Sequence, residues 1–285
     1  MSSRFSKKAP EGLQNALTSG HYAQKQLFSR NNLIGWSHRR RFAVALELAP
    51  IFAGKKILDY GCGDGTFLAL LMNEPARPAV AFGADADPKC VADCQARFAE
   101  MRGLRFLSTE ELKAAQFDNF FDAIVCMEVL EHVIDVDEVL EMIGRLLTAD
   151  GIIVVSVPVE TGLPLLIKQT ARRIAGWRGC RDYPGVTAYK WSELLGGFFG
   201  QSSWKITRPI YSNDHGVRFH DHKGFNWVAL RKRLSQRFQI EKEWGSPVAW
   251  MPRWLASQVW FLGVKKKNST LGALQNSNKS PTKER

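Results

Sequence analysis

Lys56-Ile57-Leu58-Asp59-Tyr60-Gly61-Cys62-Gly63-Asp64-Gly65-Thr66-Phe67-Leu68 is the stretch whose reading decides the fold. It opens as an apolar strand, breaks into a turn with glycine at three alternate positions, and resumes with the apolar spacing of a helix start. Glycine lets the backbone turn sharply and approach a ligand closely, and the start of the next helix presents N–H groups with no partner inside that helix. The stretch therefore reads as a nucleotide-type binding loop. Working outward, the next apolar run, Ala79-Val80-Ala81-Phe82-Gly83-Ala84, ends on a second acid, Asp85. A carboxylate offers only acceptors, which suits a ribose diol.

A dinucleotide fold also places an acid about 20 residues beyond its glycines. Its pyrophosphate would have to pass a loop carrying two carboxylates, Asp59 and Asp64. The same charges favour a ligand with a sulfonium and an ammonium group. Asp59 ahead of the first glycine, the Gly61-x-Gly63-x-Gly65 spacing and Asp85 together resemble the class I S-adenosylmethionine methyltransferases. The resemblance implies an α/β fold with a Rossmann-like seven-stranded sheet, mostly parallel, with the last strand antiparallel. It implies that Asp59, Gly61, Cys62, Gly63 and Gly65 wrap the amino-acid half of S-adenosylmethionine and that Asp85, with Ala86 beside it, takes the ribose. Thr109 would lie by the adenine, and Cys126 and Met127 would close the site at the end of the fourth strand.

Down the chain, residues 1–20 are polar, and Pro10 and Gly12 are expected to break any early helix. A helical pattern over 21–48 carries Arg39, Arg40 and Arg41, which read either as an anion site or as a solvated face. Residues 1–50 are thus a basic helical extension, 51–265 the catalytic domain, and 266–285 a disordered tail. Thr66–Asn73 and a helix capped by Asp87-Pro88 and running to about Met101 alternate with strands at 104–107 and 121–126. A helix over 136–147 and a buried strand over 151–158 follow. About 60 residues then separate this strand from the next helix, too many for an ordinary connection, so a lid is expected over about 160–222.

The second informative run is Glu128-Val129-Leu130-Glu131-His132-Val133. It resembles the branch of the family that holds the ubiquinone-biosynthesis O-methyltransferases and the small-RNA 2′-O-methyltransferases. Two chemistries follow. His132 titrates near neutrality and suits deprotonation of a phenol or activated hydroxyl. Alternatively Glu128, Glu131 and His132, taken as i, i+3 and i+4 of one helical turn, would join His222 around Mg²⁺ or a similar divalent ion, as the RNA branch does to hold two ribose hydroxyls. The signatures of adenine N-methylation and cytosine C5 methylation are absent, which disfavours base methylation.

The expected function is O-methylation of a small or lipid-linked acceptor, with RNA 2′-O-methylation as the rival and a non-catalytic cofactor-binding scaffold as a third reading. Composition bounds these. An apolar fraction of 45% over 285 residues fills the core of one elaborated α/β domain. Five cysteines form no C-x-x-C pair, which suits free thiols. No membrane span or secretory start is recognisable, so a cytoplasmic protein with peripheral membrane contact is expected. The net charge of +11 hides an asymmetry: residues 57–160 hold 7 Lys and Arg against 19 Asp and Glu, a net of −12, leaving +23 to the flanks. Basic flanks suit an anionic partner, a membrane surface or a nucleic acid. Leu163 to Trp177 mixes apolar residues with Lys168, Arg172 and Arg173 in the manner of an interfacial amphipathic helix.

Overall fold

Every residue of Ile57–Tyr60 is buried, because the strand sits mid-sheet with helices on both sides: Ile57 enters one hydrophobic core, Leu58 and Tyr60 the other. The computed structural model describes residues 11–21, 23–24, 32–177, 189–198, 206–247, 252–253 and 255–266. The expected tail beyond residue 266, Cys180, Arg178, Trp250, Trp254 and the side chains of Arg172 and Arg173 lie outside the described residues.

In chain order the elements are α1 (Glu11–Thr18), α2 (Asn32–Glu47), α3 (Ala49–Phe52), β1 (Lys56–Tyr60), α4 (Thr66–Met72), β2 (Val80–Asp85), α5 (Pro88–Arg97), β3 (Leu104–Ser108), β4 (Phe121–Met127), α6 (Val136–Leu146) and β5 (Leu147–Pro158). Then come α7 (Gly162–Trp177), α8 (Trp191–Phe198), β6 (Ile210–Ser212), β7 (Arg218–His220), α9 (Trp227–Arg237), β8 (Phe238–Ser246) and β9 (Gln258–Lys265). Seven strands form one sheet in the order β3-β2-β1-β4-β5-β9-β8, and β6 and β7 form a separate hairpin. The pairs from β3 through β5 are parallel, and β9, the last strand, runs antiparallel to both its neighbours. This is the expected Rossmann-like sheet.

Local chemistry sets the helix starts. Asp87 caps α5 by accepting from Lys89 N at 2.9 Å with Pro88 in the first turn, and Asp135 caps α6 by accepting from Asp137 N and Glu138 N. One face of the sheet packs against α2, α4 and α5 through Phe42, Leu46, Phe67, Leu68, Leu71 and Val91. The other packs against α6 and α9 through Leu140, Ile143, Leu230 and Leu234, around the ring cluster of Phe82, Phe117, Phe120 and Phe121.

Three local expectations are corrected. Residues 11–18 are helical, because a proline just before a helix start costs no hydrogen bond and Leu17 buries itself on the first core. The helix after Asp87 ends at Arg97, short of Met101. Glu128 to Val133 is a turn, not a helical one: Glu128 adopts φ 57°, which α-helix excludes. Between β5 and α9, where the lid was expected, lie α7, α8 and the β6–β7 hairpin.

Candidate active site

In an open α/β sheet, ligands bind beyond the carboxyl ends of the strands where strand order reverses, here between β1 and β4. The glycine loop occupies that point. Gly61 N and Cys62 N both donate to Ala84 O, at 2.7 and 3.0 Å, so the loop folds back over the end of β2. Gly61 has φ 78°, and a Cβ there would stand 2.3 Å from Val129 Cγ2, so only glycine lets the loop pass beneath the turn after β4.

Asp85 ties three segments together. One carboxylate oxygen accepts from Gly63 N at 2.9 Å, the other from Asp87 N at 2.9 Å, and its carbonyl accepts from Thr109 N at 3.1 Å. Each oxygen keeps acceptor capacity for a ribose hydroxyl. Asp59 is 2% exposed, and burial, then the Asp85 charge, pushes its carboxyl up to about 8. Two carboxyls so placed are relieved by a cationic ligand, and the residues present therefore fit S-adenosylmethionine, whose ammonium and sulfonium are positive.

Not all of the expected loop residues face the cleft. Asp64 is spent on structure, accepting from Ala23 N at 2.8 Å and Thr66 N at 3.2 Å, so it ties the amino-terminal segment to the loop. The Cys62 thiol packs inward toward Cys94, whose own sulfur meets Gly63 O at 3.3 Å. Cys126 is fully buried in the second core, while half-buried Met127 packs on the first; Ala86 follows Asp85 directly.

The turn after β4 carries Glu128, Glu131 and His132. Glu128 stands outside the cluster it was expected to join and is held by other groups: one oxygen lies 3.7 Å from Arg41 Nη1 and the other accepts from Ser156 Oγ at 3.3 Å. Glu131 is fully buried and neither carboxyl oxygen has a hydrogen-bond partner, so burial first and the Glu128 charge second push its pKa well up. His132 lies beside it, Nε2 at 3.8 Å from Glu131 Oε1. His132 Nδ1 is 2.7 Å from His220 O, and since a carbonyl only accepts, Nδ1 carries the proton and Nε2 the lone pair. Burial lowers the His132 pKa, which favours the neutral ring.

His222 completes the cluster from the later segment, its ring 4.7 Å from that of His132, and the ligand atoms of Glu131, His132 and His222 all lie within 4.8 Å of one another. Arg208 holds the two segments together. Its Nη2 donates to Glu131 O and to Asp221 O, its Nε to Lys223 O at 3.1 Å, and its guanidinium lies over the Phe225 ring. Arg208 carried no signal in the sequence, being an isolated arginine far from any motif. Arg41 did stand out within its basic run, although not as the partner of Glu128.

The family described as "Methyltransferase domain" matches residues 35–194, more than half of the chain. Among curated relatives, a ubiquinone biosynthesis O-methyltransferase of Chromobacterium violaceum is 36% identical over 129 residues, covering 41% of this chain and 54% of that protein. One of Cronobacter sakazakii is 32% identical over 111 residues, covering 39% and 45%. The chain thus spans about half the length of the curated relatives it matches. Among solved structures, a protein of Pyrococcus horikoshii OT3 superposes with a TM-score of 0.55 at 14% identity, covering 86% of this chain and 98% of that one. A chain from the complex of a Haloferax volcanii methyltransferase activator with a methyltransferase gives 0.52 at 14% identity, covering 92% and 100%. At those identities the two structures speak for the fold alone, and it is the family match across the glycine loop, Asp85 and the turn after β4 that makes this chain a member of the methyltransferase domain family, the S-adenosylmethionine-dependent methyltransferases.

Proposed function

We propose that the protein methylates a hydroxyl oxygen of a small or lipid-linked acceptor, with His132 as the general base. The observation that carries this is the fixed tautomer of His132: Nδ1 donates to His220 O and leaves the Nε2 lone pair to take a proton. Bound S-adenosylmethionine supplies an electrophilic methyl group on a sulfonium. The chain's own work is to hold the cofactor against Asp59 and Asp85, orient the acceptor oxygen in line, and remove its proton. A neutral histidine at physiological pH is the protonation state that this role requires. The names of the curated relatives point to the same bond type. The basic flanks favour an acceptor presented at an anionic membrane surface.

A second reading is favoured by Glu131, whose buried carboxyl either keeps its proton or meets a cation. With His132 and His222 it offers one oxygen and two nitrogens. That donor set disagrees with Mg²⁺, which takes oxygen ligands, and fits a first-row transition ion such as Mn²⁺, Co²⁺ or Zn²⁺. Glu128 would have to leave Arg41 and Ser156 to join it. In this reading the acceptor is a diol, a catechol or a terminal ribose.

The test is a pair of measurements on the purified protein. Under the base model, methyl transfer from labelled cofactor to catechol or quinol acceptors survives exhaustive chelation, and His132→Ala abolishes it while the affinity for S-adenosylmethionine stays within about twofold. Activity lost on chelation and restored by Mn²⁺ or Co²⁺, with a rise in melting temperature that Glu131→Gln removes, would replace the base model with the metal one.

A further inference from the structure

The β6–β7 hairpin crosses the mouth of the cofactor cleft. At its base, His220 N donates to His132 O at 2.8 Å, His132 Nδ1 donates to His220 O at 2.7 Å, and Arg208, two residues before the hairpin, clasps Glu131. These contacts fix the hairpin to the turn after β4. Its tip reaches the end of β2, where Asn213 Nδ2 donates to Asp87 Oδ2 at 2.9 Å. Asp87 is bonded in turn to the ribose acid, through Asp87 N and Asp85 Oδ1. Between base and tip, Arg218 lines a cavity of about 200 Å³ together with Tyr60, Thr109 and Glu110 from the ends of β1 and β3 and with Val133 and Glu138. The hairpin therefore spans from β4 to β2, above the carboxyl end of β1.

The base and the tip are held very differently. All three strand residues of β6 are exposed, as is Arg218 at the start of β7. The Asn213 side chain has two separate jobs. Its Oδ1 builds the turn by accepting from His215 N at 3.0 Å and Val217 N at 2.9 Å, while Nδ2 alone makes the bond to Asp87. The other Asp87 oxygen caps α5 through Lys89 N. The tip bond can thus break without undoing either the turn or the helix cap.

We propose that the hairpin is a strap over the adenosine end of the cofactor cleft and that the Asn213–Asp87 bond is its latch, which sets how fast cofactor and product exchange. This rests on the assignment of the cleft to S-adenosylmethionine. A closed strap bars exit past Thr109 and Asp85, and an open one, hinged where Arg208 and His220 are anchored, frees it. The latch acts on the exchange rate, and Asn213 is a positioning residue, not one that touches the reacting atoms.

The design of the latch supplies its own control. Asn213→Asp keeps the oxygen that builds the turn, removes the donor and sets two carboxylates face to face. The swapped pair, Asp87→Asn with Asn213→Asp, restores one donor and one acceptor with reversed polarity, and asparagine caps a helix as well as aspartate does. Stopped-flow dissociation of S-adenosylhomocysteine from the full chain reads the result. Asn213→Asp should release it about tenfold faster, the rate equivalent of about 1.4 kcal/mol, with the melting temperature unchanged, and the swap should bring the rate back to within about threefold of wild type. Unchanged dissociation in Asn213→Asp, or a swap no slower than the single variant, overturns the latch. If wild type fails to bind S-adenosylhomocysteine at all, the cofactor assignment falls and the latch with it; normal wild-type binding with insensitive variants sinks the latch alone.

Discussion

At the scale of single residues, the site is a problem in placing negative charge. Asp59 and Asp85 are close, and Asp59 is held up to about 8, so in the free protein near neutrality it is largely protonated. A cationic ligand prefers the ionised form, so binding should release a proton, and affinity for S-adenosylmethionine should rise with pH up to about 8 and level off above it. Calorimetry in two buffers of different ionisation enthalpy would reveal the proton, and a pH-independent affinity from 6 to 9 would contradict it. The sign for stability is the reverse of the usual carboxylate case: folded Asp59 keeps its proton where the unfolded residue has lost it, so its burial destabilises the free protein increasingly as pH rises from about 4 to 8. Asp85→Ala should weaken cofactor binding by about 1–3 kcal/mol, the loss of a charge-assisted contact. At this scale the sequence was informative where chemistry demands one residue type. Gly61 and Asp85 were legible because little else fits; Asp64 was not, since its partner Ala23 N is a backbone group that no side-chain pattern announces.

At the scale of elements, α2 is where expectation and structure part most. Its arginines read more readily as a solvated face than as an anion site, yet Arg41 is largely buried against Glu128 and Arg40 Nε donates to Pro247 O at 2.9 Å. A basic run looks the same in sequence whichever way its side chains turn, and only the tertiary partners, 87 and 207 positions away, decide. His38 on the same helix is pushed down to about 3 by burial and then by Arg41. Its ring stays neutral in the folded protein, while the unfolded chain takes a proton below about 6.5. The docking of α2 therefore contributes fully above pH 6.5 and weakens as pH falls toward 3. Thermal melts by circular dichroism between pH 7 and 4 should show this loss, and His38→Gln should flatten it. Arg41→Met should cost about 1–3 kcal/mol in urea denaturation by leaving the Glu128 carboxylate without that counter-charge. A variant as stable as wild type would mean that the pair contributes nothing net. The turn of Glu128 to Val133 was misread as helical because i, i+3, i+4 spacing carries no information about φ, and the positive φ of Glu128 is fixed by its bonds to β5 and α2.

At the scale of the whole molecule, the acidic span over residues 57–160 and the basic flanks divide the chain between two tasks. Asp59 and Asp85 of the acidic span stand where a cationic cofactor would sit, while the basic flanks suit the anionic surface proposed above. None of the described helices is long and apolar enough to cross a membrane, and the lipid contact proposed above is attachment to a surface. The region that fits it is the pair α7 and α8. Trp191, Leu195 and Phe198 follow i, i+4, i+7 spacing and are 74%, 60% and 40% exposed, so α8 turns an apolar stripe outward, with Leu163 and Ile167 of α7 also exposed. Each basic residue near an anionic bilayer adds about 1 kcal/mol, and the apolar stripe adds burial that salt does not screen. The protein should therefore sediment with vesicles containing phosphatidylserine and remain in the supernatant with phosphatidylcholine alone. Raising salt should weaken the association without abolishing it, whereas Trp191→Ala with Leu195→Asp should abolish it even at low salt. A protein that never sediments with anionic vesicles at low salt would remove the support for a membrane-presented acceptor and move water-soluble phenols and ribose termini to the front of the substrate search.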